Sequence, residues 1–102
     1  MSWDVSIVTQ GPLEVYERGV TWNNYDIFLK SLGCPFRDLN GQRASSILDK
    51  LSYAIQDILQ HRIEYEALEP PNGWGGIEDV LRVLRGMRDA CEEYPERVVS
   101  IT

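Results

Sequence analysis

Histidine occurs once in this 102-residue chain and cysteine twice, and no stretch approaches the 18 consecutive apolar residues of a membrane-crossing helix. A single imidazole, His61, excludes a site built on paired histidines. Cys34 and Cys91 lie far apart in no C-x-x-C pattern, and the acids form no EF-hand loop, so no metal is expected. Positive charge is also scarce: ten Lys and Arg against sixteen Asp and Glu leave a formal charge of −6. Binding to nucleic-acid backbone or to an anionic membrane surface needs a basic footprint, so neither is expected, whereas a basic protein partner is permitted. The opening MSWDVSIV has no basic segment leading into a long apolar run. No secretion signal is therefore expected, the location is read as cytoplasmic, and the two thiols are read as free and buried.

What the chain does contain is 43% hydrophobic residues with three Trp, five Tyr and two Phe, the composition of one globular domain over residues 1–102. Residues 1–9 alternate, with Trp3, Val5 and Ile7 on one face, which predicts a strand. Leu13 to Tyr16 reads as a second short strand, closing a hairpin through Thr9-Gln10-Gly11-Pro12. Asn23-Asn24 precedes a short helix from about Tyr25 to Leu32, stopped by Gly33 with Pro35 just beyond. Ile47, Leu48, Leu51, Ala54, Ile55, Ile58 and Leu59 form a helical stripe of four turns or more, with Ser46-x-x-Asp49 as a capping box. Residues 61–68 extend this helix or form a separate short one, and Pro70-Pro71-Asn72-Gly73 ends the segment. A last helix is predicted from about Ile77 to Glu93, terminated by Tyr94-Pro95, and Arg97 to Thr102 closes the chain as a strand. The class is thus α+β: a two- to three-stranded sheet, from an N-terminal strand or hairpin plus the C-terminal strand, with three to four helices on one face.

Few residues stand out as carriers of chemistry. The loop Pro70-Pro71-Asn72-Gly73-Trp74-Gly75-Gly76 leads into a helix N-terminus, where free N–H groups and the dipole attract anions. Asn72 and Trp74 are its binding candidates, as a phosphate cradle with an aromatic platform. Glu78 and Asp79 in the first turn weigh against phosphate, and neither the P-loop nor the dinucleotide spacing is present. Trp22, Asn23, Asn24 and Tyr25 form a second candidate cluster, either a binding face or a packed corner in which an asparagine caps the helix. Arg82 and Arg85 begin a row that reaches Arg88 and suits an acidic ligand, but Glu78–Arg82, Arg85–Asp89 and Arg88–Glu92 are spaced as ordinary i, i+4 pairs. His61 has only Asp57 as an orienting acid and no nucleophile in sequence, so it reads as a surface histidine. Cys91 sits beside Glu92 and Glu93, which disfavours its thiolate. No residue is assigned a catalytic role, and no cofactor is expected.

From Gly19 onward the chain also carries Val20-Thr21-Trp22-Asn23-Asn24, Leu32-Gly33-Cys34-Pro35-Phe36-Arg37-Asp38-Leu39-Asn40-Gly41 and Glu66-Ala67-Leu68-Glu69-Pro70-Pro71-Asn72-Gly73-Trp74-Gly75. Ala90-Cys91, Pro95 and Val98-Val99-Ser100-Ile101 follow. With these segments it resembles a family of small uncharacterised proteins found in actinobacteria, in other bacteria and in their phages. Members often place an acid where Gly76 stands and a tyrosine where Ile77 stands. The resemblance implies a prokaryotic or viral cytoplasmic setting and no particular reaction.

Small size, acidity and aromatic excess lead to a first expectation, a non-enzymatic binding protein. Through the resemblance, it would be a phage- or mobile-element-encoded factor inhibiting a host defence or regulatory protein. Two alternatives stand beside it. One is sequestration of a small nucleotide-like signal by the glycine-rich loop in a homo-oligomer; the other is an immunity protein or antitoxin that neutralises a basic toxin.

Overall fold

The computed structural model describes residues 24–69 and 76–101 in full and the backbone of 2–8 and 14–21. Among these residues the chain is mostly helical. Strands β1 (Ser2–Val8) and β2 (Glu14–Thr21) precede helix α1 (Tyr25–Leu32) and a 3₁₀ turn, Phe36–Leu39. Helices α2 (Ala44–Gln60), α3 (Arg62–Glu66) and α4 (Ile77–Glu93) follow, and β3 (Val98–Ile101) ends the series. The backbone strands align antiparallel in the order β2-β1-β3, with position 5 opposite Ile101 and position 7 opposite Val99. The expected second strand, 13–16, is displaced and longer in the structure. The expected hairpin loop at 9–12 and the Pro-Pro-Asn-Gly stop lie outside the described residues.

The helices form where apolar residues recur at helical spacing. On α2, Ile47, Leu51, Ala54, Ile55 and Ile58 are buried; on α4, Ile77, Val80, Leu81, Val83, Leu84, Met87, Ala90 and Cys91 are. These two faces meet and make the centre of the core. Each fully buried Leu or Ile there contributes about 1.5–3 kcal/mol from leaving water. Phe28 of α1 and Phe36 of the 3₁₀ turn close one end, with ring centroids 4.3 Å apart and planes inclined by 34°. Helix α1 stops as expected. Gly33 takes φ 76° and donates its N–H to the Leu29 carbonyl at 3.0 Å, a left-handed cap that costs a Cβ-bearing residue energy.

Two features of α2 differ from the sequence reading. Ser46 is not an N-cap, because the helix already begins at Ala44. The reason is tertiary. The Ala44 N–H donates to the Arg97 carbonyl at 2.7 Å and the Ser45 N–H to the Pro95 carbonyl at 2.9 Å. Backbone carbonyls leading into β3 thus satisfy the first orphan donors, and no side-chain cap is needed. Leu59, counted in the buried stripe, is 46% exposed. At His61 the backbone leaves helical geometry, with φ −123° and ψ 40°, so α3 starts as a separate turn.

β3 is held along its other side by residues 40–43. The Gly41 N–H reaches the Val99 carbonyl at 2.8 Å, the Val99 N–H reaches the Gln42 carbonyl at 2.9 Å, and Arg43 bridges Val98. The Asn40 side-chain oxygen accepts the Ile101 N–H at 2.8 Å. Val99 and Ile101 are buried while Val98 is exposed, the alternation of a strand with one face on the core.

Candidate functional site

The N-terminus of α4 is the point at which the sequence offered an anion cradle, and the structure fills it with side chains of the chain itself. Asn24, fully buried at the start of α1, accepts the Gly76 N–H on Oδ1 at 2.8 Å and donates from Nδ2 to Asp79 Oδ2 at 2.8 Å. Glu69 approaches from the chain following α3 and accepts the Ile77 N–H on Oε2 at 3.1 Å. A carboxylate therefore already occupies the place where a phosphate oxygen would sit, on the positive end of the helix dipole. Asp79 adds a second negative charge within the first turn. Gly76 makes the approach possible. Its φ is 139°, and a Cβ built there would fall on Glu69 Oε2.

Among the sequence candidates, Asn24 is thus a structural bridge between two helix starts, 52 residues apart from Gly76 in the chain. It does stand at the N-cap position of α1, but its side chain makes no capping bond to that helix. Tyr25, the next residue, is 38% exposed. Trp22, Asn23, Asn72 and Trp74 lie outside the described residues. Arg82 and Arg85 are exposed on the outer side of α4. The expected i, i+4 pairing along this helix is replaced among the described residues: Glu78 pairs with Arg62 of α3, and Arg88 reaches its neighbour Asp89 at 3.4 Å. Arg62 is drawn toward Glu78 because α3 folds back beside the start of α4, and it also faces Glu66 at 3.8 Å.

A second polar cluster lies where α2 ends. Asp57 Oδ1 is 3.1 Å from His61 Nδ1, and the other carboxylate oxygen accepts the Tyr65 hydroxyl. The Tyr65 ring is buried, with the Lys30 ammonium 5.4 Å from its centroid. Burial first, and then the bond to Asp57, push the phenol far above its ordinary value. Tyr65 consequently stays a hydrogen-bond donor across the physiological range, and Asp57 serves both neighbours as acceptor. The sequence paired Asp57 with His61 but missed Tyr65; its i+8 spacing from Asp57 becomes close only because the helix breaks at His61.

The cysteines separate by environment. Cys91 is buried, and its thiol is pushed up to about 11 by that burial, not by Glu92 and Glu93 as the sequence implied. Cys34 is half-buried and not wholly enclosed as expected, and its sulfur receives a hydrogen bond from the Lys50 ammonium at 3.6 Å. Among the described residues no group of three or more His, Cys, Asp or Glu is placed to hold a metal ion, and no helix is long and apolar enough to cross a membrane.

No family model matches the chain, and neither a curated protein nor a solved structure does.

Proposed function

We propose that this protein acts by binding another protein, as a small accessory factor that inhibits a host defence or regulatory component. The family resemblance adds a phage or mobile-element origin to the reading. The observation that carries it is the closure of the α4 N-terminus by Glu69 and Asn24. The best anion-binding position in the sequence is spent on internal bonds, which weighs against sequestration of a nucleotide-like signal there. His61 and Tyr65 are likewise both bonded to Asp57 at the end of α2. The acidic surface then favours a protein with a basic face, by steering and by complementarity. The architecture that accompanies this reading stacks the four helices on one face of the small sheet. Val99 and Ile101 turning into the core support that arrangement.

The test is affinity capture from the natural host, followed by reconstitution of the retained protein with the purified chain. A stoichiometric complex in which the partner loses its own activity is the expected result. If denaturation of the captured material releases a nucleotide and no protein copurifies, the sequestration reading replaces this one.

A further inference from the structure

Asparagine followed by glycine is the sequence at which a polypeptide most readily attacks itself, because glycine has no side chain to keep its amide nitrogen from the asparagine amide. Two such pairs stand in the chain, Asn40-Gly41 and Asn72-Gly73. The first lies among the described residues, directly after the 3₁₀ turn and beside β3. Asn40 and Gly41 are both exposed, so water reaches them and burial does not protect the pair.

The reaction consumes nothing but water. The Gly41 nitrogen forms a bond to Asn40 Cγ, closing a succinimide ring. The Cγ–Nδ2 bond breaks, and ammonia leaves with the Gly41 amide proton. Water then opens the ring at either carbonyl. Addition at Cγ gives aspartate, whereas addition at the main-chain carbonyl gives isoaspartate, whose backbone runs through Cβ and Cγ and is one carbon longer.

β3 holds both reacting groups. The Gly41 N–H, which must lose its proton, donates to the Val99 carbonyl at 2.8 Å. Asn40 Oδ1, on the amide that must turn toward Gly41, accepts the Ile101 N–H at 2.8 Å. The Val99 and Ile101 side chains are buried and fix the strand on the core. A local opening that frees β3 therefore frees nucleophile and electrophile together.

We infer that Asn40-Gly41 is a self-modification site that β3 keeps closed, and that its isoaspartate product bars the strand from returning. In isoaspartate the added backbone carbon shifts the acceptor of residue 40 relative to the Gly41 N–H. The two can then no longer meet Ile101 and Val99 at once. A passing loss of β3 becomes permanent, and the chain gains a negative charge. Nothing in this chemistry calls on a binding partner, so it goes beyond the proposed function.

The test incubates the purified full chain in mildly alkaline buffer, natively and in guanidinium chloride above its unfolding transition. Peptide mapping by liquid chromatography and mass spectrometry separates aspartate from isoaspartate at position 40 and counts Asn72-Gly73 apart. Amide exchange at Gly41 and Ile101 is followed by NMR in parallel. Conversion at Asn40 should run at least about tenfold more slowly in the native chain than in the unfolded one, as expected for a reaction that waits on local opening. Ile101→Ala removes a buried anchor of β3 and should speed Gly41 exchange and Asn40 conversion by a similar factor. Val98→Gly, at an exposed position of the same strand, should do so more mildly and serves if Ile101→Ala loses its helical circular dichroism. The chain isolated with isoaspartate at position 40 should exchange its Ile101 amide rapidly. Native conversion as fast as in guanidinium chloride overturns the protection by β3. Faster Gly41 exchange in the variants without faster conversion overturns it as well. An Ile101 amide still protected in the isoaspartate form overturns the barred return.

Discussion

Asn24 shows how much a single buried amide can hold. Its oxygen and nitrogen are both used, one on the Gly76 N–H and one on the Asp79 carboxylate, with no exposure to water. Asn24→Ala leaves a buried donor and a carboxylate short of partners, which costs about 1–3 kcal/mol for an unsatisfied buried group. Urea unfolding should show that loss. Asn24→Asp should not restore stability, because it sets a second carboxylate against Asp79. A related prediction concerns alkaline pH. Cys91 has its folded value raised from the ordinary 9 to about 11 by burial, so the folded state holds that proton more tightly than the unfolded chain. Its contribution to stability is complete below pH 9 and falls away as the pH rises toward 11. Tyr65, raised further in the same direction, adds to the loss above the ordinary phenol range. Stability measured across this window should drop, and Cys91→Ala should flatten the slope below pH 11 even though it lowers stability overall.

Helix ends are where individual elements differ most from expectation. The start of α2 is set by carbonyls of Pro95 and Arg97, so Ser46→Ala should change stability by less than about 0.5 kcal/mol, whereas loss of a true serine cap costs about 1 kcal/mol. Thermal melts of that variant discriminate between the two starts. At the head of α4, Gly76→Ala meets both an unfavourable φ of 139° and the Glu69 carboxylate. It should cost about 1–3 kcal/mol, the scale of backbone strain for a residue forced into such a region, and Glu69→Ala should recover little because the strain remains. The helices themselves were legible in the sequence. The predicted bounds of α1 and α4 coincide with the structure, since Gly33 with Pro35 and the Tyr94-Pro95 stop act locally. The break at His61 is not specified by the sequence, since it carries no glycine or proline and periodicity runs through it.

For the whole molecule, the α2–α4 contact is the main source of stability among the described residues, and the radius of gyration of 13.0 Å is that of a compact chain of this length. Leu51 and Leu84 are both fully buried. Leu51→Ala should cost about 2–5 kcal/mol through lost transfer and the cavity left behind. Against a total of roughly 5–15 kcal/mol, that is enough to populate unfolded chains at moderate temperature, measurable by calorimetry. The contrast with the exposed Ile63, whose replacement should leave stability nearly untouched, separates residues that fold the chain from those at its surface.

The sequence by itself determined the helices, because periodicity of apolar residues and the punctuation at Gly33 and Pro95 act over a few residues. It also determined the net negative charge, which needs only counting, whereas the unpaired state of Cys34 and Cys91 comes from the fold. Tertiary structure alone decided which polar groups remain available. Glu69 and Asn24 reach the α4 N-terminus from 7 and 52 residues away from Gly76, and Tyr65 reaches Asp57 across a helix break. Leu59, one residue on from the buried Ile58 and so about 100° around the helix from it, lies at the edge of the α2 stripe and is left 46% exposed. Propensity and spacing are short-range, whereas the partner of a buried donor is fixed by chain segments that meet only when the core closes.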